Sequence, residues 1–287
     1  MLLNTPDELG IKLVIASEEA RSFALCHPGL DGPPNLSTSV VIQVDPPGFR
    51  VVRVFDTEIV SMATLAGTLY CVDRLQHVYE YTEGTWNDIA NPDLRPYRIN
   101  DMRVVNGELF GIGNDQMIFL WKANTWVPIT EEKKSLYLYD IADWGANGHI
   151  ISGEAGFLAI LKDRALHRIE LPTNADITCV LPLSAERVLV TGWDATAMFV
   201  GLNEVVSIDA GARELNFLNA VRWDSKVLIA AEDEILVLKG DTVETFATER
   251  AALLSTIGER LWRQGADGIA YLDPGKEWVP MPLSADV

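Results

Sequence analysis

The chain has 287 residues, 48% of them hydrophobic, and sets 41 acidic against 23 basic side chains for a net charge of −18. That apolar fraction excludes a disordered chain, and no apolar run reaches the roughly 18 residues that a membrane-spanning helix needs. The acidity excludes binding of nucleic acid through its phosphates, or of an anionic membrane surface, and favours encounter with a basic protein or a cationic ligand.

The start of the chain, Met1 to Glu8, has no basic segment followed by an apolar one, so no secretion signal is expected. Three cysteines, Cys26, Cys71 and Cys179, cannot all pair with one another, and two of them sit in strand-like apolar runs. Free thiols in such runs behave as small hydrophobes, which points to a reducing, cytoplasmic setting.

In chain order, the first elements are four strand-like runs at 12–16, 22–25, 40–44 and 49–54. Between the second and third runs lies a stretch rich in proline and glycine, 27–37, that is too long for a tight hairpin. It holds Asp31 and Asn35, candidate binding residues because long loops on rigid scaffolds tend to carry function. Six further units follow. Their second strands open with the first apolar residues Leu69, Leu109, Ile150, Val188, Val227 and Leu261, at steps of 40, 41, 38, 39 and 34 residues. Three units close alike, on Trp86, Trp126 and Trp278, each after a turn and with an apolar residue three positions on. These indoles are expected to cover the ends of outer strands and pack on their neighbours. Between the second and third units an irregular connector brings Arg95, Tyr97 and Arg98 into an otherwise acidic chain, and arginine and tyrosine are common interface anchors. No segment has sustained helical periodicity, so helices should be few.

A period near 40 residues with several short strands per unit is the pattern of a β-propeller blade. Over essentially its whole length the chain resembles the seven-bladed β-propeller superfamily. The resemblance implies an all-β, single-domain propeller of seven four-stranded antiparallel blades, approximately at 10–56, 57–92, 97–133, 137–173, 176–211, 215–248 and 251–284. No one family fits. The chain lacks the paired motifs of the tryptophan–aspartate repeats and the glycine doublets of kelch repeats. Its Glu83-Gly84-Thr85-Trp86 turn looks like the tail of a sialidase-type aspartate box without the leading serine and aspartate.

Such a fold implies that the first strand of each blade lines a central channel. Aligning the blades places Ser61, Asp101, Asp140, Thr178 and Asn219 near its mouth, with Ser255 as a further member. A ring of small oxygen-bearing side chains could hold a hard cation, bind a polar ligand or orient water for acid/base work, or it could simply keep a wet channel hydrated. In a wet channel, replacing Asp101 and Asp140 by alanine should leave stability nearly unchanged. Catalytic signatures are missing: there is no Gly-x-Ser-x-Gly elbow, phosphate loop or His-Glu-x-x-His. The four histidines never fall in metal-ligand pairs, and the methionines are scattered, so no metal and no cofactor is expected.

The leading expectation is therefore a non-catalytic, monomeric binding module for a basic protein partner. In sharper form it is an inhibitor or immunity-type protein of a bacterial cytoplasm that neutralises a basic toxin or nuclease. Two other readings stand beside it: an enzyme acting on a sugar or small polar metabolite with Asp101 and Asp140 at the channel mouth, and an adaptor subunit of a larger assembly.

Overall fold

The computed structural model describes residues 9–12, 22–28, 39–46, 48–89, 97–130, 135–265 and 268–281. It is all-β: twenty-eight strands form seven four-stranded sheets, each an antiparallel meander of four consecutive strands. The chain is thus a seven-bladed β-propeller. Because every sheet is built from consecutive strands, none borrows a strand from the other end of the chain. Among the described residues the only helical elements are two three-residue 3-10 turns, Asn114–Gln116 and Gly145–Asn147. Contacts divide the chain into two compact units, residues 95–254 and the remainder.

Within residues 95–254 lie blades 3 to 6, whose first, innermost strands are Ile99–Val105, Leu138–Asp143, Ile177–Ser184 and Phe217–Trp223. Alternation explains the sheet interiors. The second strand of blade 5, Arg187–Gly192, runs Arg-Val-Leu-Val-Thr-Gly with all but its first residue buried. Its leucine packs with Cys179, Phe217 and Ile229 in the layer toward blade 6. Its valines pack with Ile150, Leu158 and Val180 in the layer toward blade 4. Both faces of a middle strand are therefore core, which is why these runs read as continuously apolar.

A repeated irregularity shapes the inner strands. In blades 2 to 6 the register between first and second strands skips one residue: Val60, Asn100, Tyr139, Thr178 and Leu218 are the unpaired bulge residues. In blades 3 to 5 the second strand ends opposite that bulge on a glycine, and the spacing requires one. A Cβ on Gly113, Gly153 or Gly192 would lie 1.8, 2.3 or 2.1 Å from the carbonyl oxygens of Arg98, Tyr137 and Asp176 respectively. The backbone that enters each blade therefore runs directly over the end of its second strand.

The remainder of the chain holds blades 1 and 2 and most of blade 7. The first strand of blade 1 is Leu9–Lys12, which meets the expected 12–16 only at Lys12; residues 13–16 lie outside the described residues. In blade 2 the indole of Trp86 packs on Phe55 of blade 1 and on Tyr81, at centroid distances of 5.4 and 4.9 Å. The guanidinium of Arg53 sits over Phe55, Tyr79 and Trp86 and is ion-paired to Asp88 at 2.8 Å. The expected role for Trp86, bridging one blade to the next, is what the structure shows. Trp126 is 3% exposed and packs 4.9 Å from Trp121 of its own blade. The Glu83-Gly84 turn is a two-residue hairpin loop with positive φ at both residues (51° and 89°), the geometry that matches strand twist.

Candidate functional site

In blades 3 to 6 the antiparallel meander sorts the connections onto two faces. One face carries the chain entering each first strand and the loop between second and third strands. The other carries the hairpin turns that join first to second and third to fourth strands. The sequence-predicted polar residues lie just inside the first face.

Cys179, rather than Thr178, occupies the position equivalent to Ser61, Asp101, Asp140 and Asn219, because Thr178 is itself the bulge. Most of these side chains are turned to the next strand. Asp140 accepts a hydrogen bond from Val180 N of blade 5 at 3.0 Å through Oδ2, and from Arg103 Nε of blade 3 at 3.2 Å through Oδ1. Arg103 is also paired with Asp101 at 2.7 Å. The Thr178 hydroxyl donates to Phe217 O of blade 6 at 2.6 Å, while Ala220 N donates to Cys179 Sγ at 3.3 Å. Asn219 grips both backbone groups of Leu254, donating to its carbonyl at 2.8 Å and accepting from its N–H at 2.9 Å. Ser61 is fully buried in blade 2. In blades 4 to 6 these polar groups are thus stitches between adjacent inner strands, satisfying backbone groups that would otherwise be orphaned in the core, whereas Asp101 in blade 3 bonds Met102 N and Arg103 of its own strand.

The electrostatics follow from burial. Desolvation pushes the Asp140 carboxyl above the usual carboxylate range, opposed by Arg103 and by the Val180 N–H. Burial also raises the Cys179 thiol, with Asp140 adding to the effect. Among the described residues no group of three or more His, Cys, Asp or Glu side chains is placed to hold a metal ion.

Of the irregular-loop residues, Asp31, Asn35 and Arg95 lie outside the described residues. Tyr97 packs 6.4 Å from Phe119, and Arg98 donates its backbone N–H to Asn114 Oδ1 at 2.6 Å.

The same face carries a surface that sequence reading missed. Two large aromatic side chains stand out of it: Tyr137, at the start of blade 4, is 48% exposed, and Trp193, in the second loop of blade 5, is 47% exposed. Both are rigidly mounted. Tyr137 exchanges hydrogen bonds with Glu154, its N–H donating to Glu154 Oε2 and its carbonyl accepting from Glu154 N, each at 3.0 Å. Trp193 N donates to Asp176 O at 2.9 Å. Asp176 in turn accepts from Ala155 N at 2.9 Å and from the Tyr139 hydroxyl at 3.1 Å, tying the two loops together. Burial and the neighbouring Asp176 raise the pKa of Tyr139, so its hydroxyl remains a donor.

Charge on this face is one-sided. Its described loops carry Asp115, Glu154, Glu170, Asp176, Asp194, Asp209, Glu214, Glu232, Asp233, Glu234 and Glu249, against Arg98, Arg213 and Arg250. Two of those arginines are already neutralised, Arg213 by Glu234 at 2.8 Å and Arg250 by Asp233 at 3.0 Å. The result is a fixed, acidic surface set with two exposed aromatic rings.

No protein-family model and no curated protein matches the sequence. Among solved structures, the chain is similar to the WD40 β-propeller domain of Doa1, with 9% identity, a TM-score of 0.69 and 90% of each chain covered. It is similar to YCF48 bound to D1 peptide, with 14% identity, a TM-score of 0.65 and coverage of 91% of this chain and 93% of that one. It is also similar to the extracellular domain of the hybrid two-component system BT4673 from B. thetaiotaomicron, with 10% identity and a TM-score of 0.73. There 93% of this chain spans 38% of the other. At these identities the likeness establishes the fold.

Proposed function

We propose that the chain is a protein-binding module whose acidic loop face takes a basic protein partner. The observation that carries this reading is the pairing of two exposed aromatic side chains, on hydrogen-bonded backbone, with a surplus of carboxylates on one face. Aromatic side chains are favoured anchors at interfaces, and a one-sign potential accelerates encounter with a partner of opposite sign. Support in kind comes from the structural neighbour YCF48, whose structure holds a peptide. The sharper form is a cytoplasmic, monomeric inhibitor or immunity-type protein that neutralises a basic toxin or nuclease, a task for which charge-steered association is well suited.

The test is affinity capture from the source lysate at low and high salt, followed by association kinetics with whatever is recovered. One basic protein recovered in near-equal amount, with an association rate that falls as salt rises, supports the reading. A salt-independent rate, or a partner that binds the Trp193→Ala and Tyr137→Ala double variant unchanged, refutes the assignment to this face.

A further inference from the structure

Blades 3 and 4 leave a groove of about 520 Å³ between them on the opposite, hairpin-turn side. That size lies within the range of roughly 300–1,000 Å³ typical of ligand clefts. The groove's floor is apolar and continuous with the core: Phe110 and Leu161 are buried, and the partly buried Leu120 and Ile129 pack against the same cluster. Val127, 36% exposed, forms one wall. His149 forms another, its ring edge-on to Phe110 at 5.1 Å.

The rim has the opposite sign from the rest of the molecule. Lys122, Lys162 and Arg164 surround the groove together with Glu108 and Asp163, in a chain of net charge −18. The cations are not spent on carboxylates. Lys162 Nζ donates to Ala146 O at 3.2 Å and Arg164 Nη2 to Pro128 O at 3.3 Å, both neutral acceptors. Lys122 meets no hydrogen-bond or ion-pair partner among the described residues. Elsewhere Arg168 and Arg222 likewise donate to backbone carbonyls, whereas Arg103, Arg213 and Arg250 are each neutralised by a carboxylate. An apolar floor whose rim carries three cations outside any ion pair, against two carboxylates, complements a ligand that is apolar at its centre and anionic at its ends.

We propose that this groove docks an acidic peptide segment of a partner protein, which inserts an aromatic or aliphatic side chain between blades 3 and 4. The nearest outer strand, Thr125–Pro128, ends on a proline with no N–H, so the side chain rather than an added β-strand supplies the anchor. This site lies on the other face from the acidic surface and stands or falls independently of it.

The probe is an acetylated, amidated hexapeptide Asp-Glu-Phe-Leu-Asp-Glu, titrated into methyl-labelled protein and followed by NMR. Expected are saturable shifts at the methyl groups of Leu120, Val127, Ile129 and Leu161. Affinity should weaken about tenfold in a Lys122→Glu, Arg164→Glu variant, which reverses two of the three rim cations. Both side chains are exposed, so the variant folds, and Trp193→Ala should leave the titration unchanged. Absence of saturable shifts up to about 2 mM would overturn the proposal, as that excludes even millimolar affinity. So would equal binding of Asp-Glu-Ser-Asn-Asp-Glu, or the same methyl shifts from Lys-Arg-Phe-Leu-Lys-Arg. Shifts at these methyls that grow with protein concentration alone would replace the peptide with a second copy of this chain, and would overturn it equally.

Discussion

Replacing Asp140 by alanine tests whether the inner-strand polar groups hold blades together. The substitution removes the acceptor for Val180 N, which bonds Oδ2 at 3.0 Å in a residue only 3% exposed. An orphaned buried N–H costs about 1–3 kcal/mol. The bond to Arg103 is lost too, but Arg103 keeps Asp101 at 2.7 Å and its side chain is 38% exposed. After discounting for solvent screening, that bond contributes at most about 1 kcal/mol. Relief of the carboxylate's burial offsets part of the loss, so the net expectation is about 2–3 kcal/mol. In a domain of this size each kcal/mol lowers Tm by roughly 2–4 °C. Asp140→Asn returns one of the two acceptor oxygens and should recover about half. The pH dependence has a definite sign. A carboxyl whose folded pKa is raised contributes stability that is full below its unfolded value and is lost as pH rises through the folded value. Wild type should therefore gain on Asp140→Asn as pH falls from neutrality toward the usual carboxylate range. Urea and thermal unfolding followed by circular dichroism measure all three quantities. An alanine variant within about 0.5 kcal/mol of wild type, inside the ordinary range for surface changes, would refute the stitching argument. An asparagine variant as damaged as the alanine would show that charge toward Arg103, not the acceptor for Val180, is what matters.

Three other outcomes are expected. Trp126→Ala should cost about 3–5 kcal/mol in unfolding free energy, because a nearly fully buried indole leaves a cavity against Trp121. Trp193→Ala and Tyr137→Ala should each leave Tm almost unchanged, since both rings are about half exposed, yet each should weaken partner binding by about tenfold in calorimetry. Cys71 and Cys179 are buried and their thiols are held above the ordinary range by burial, so native protein should resist iodoacetamide while urea-unfolded protein reacts at both.

The blade count was legible because each second strand is buried on both faces, so its apolar run recurs wherever a blade does. Gly113, Gly153 and Gly192 were a second, unused signal: each marks where the incoming backbone crosses its blade. The bulge was not legible. It adds one residue to the first strand in each of blades 2 to 6 without changing composition, and in blade 5 the search for an oxygen-bearing side chain settles on the bulge residue Thr178, one short of Cys179 at the equivalent rung. In blade 1, pairing of Ile11 with Cys26 puts the first strand nearer the chain start than its apolar run suggested. The acidic surface was hidden for a topological reason. Glu154, Asp176 and Trp193 are spaced about twenty residues apart, and become neighbours only because alternate turns of a meander fall on the same face. Sorting charges by turn, rather than by position along the chain, would have exposed it.

That sorting bears on where binding can occur. At Asp140, Thr178 and Asn219 the polar side chains are spent on backbone groups of the adjacent strand, so a ligand there would first have to break bonds within the fold. The loop carboxylates face a different balance. Asp194, Glu214 and Glu232 are exposed, and nothing buried depends on their charge. Their mutual repulsion is a standing cost, modest at physiological ionic strength, which a basic partner would relieve on binding. Tyr137 and Trp193 meet the complementary condition. Their backbones are fixed by Glu154 and Asp176 while their rings stay in water, so a partner that covers them pays for ordering two side chains but not the loops that carry them. A scaffold that satisfies its inner polar groups internally and leaves most of its loop carboxylates outside any ion pair keeps its free polar groups on the loops.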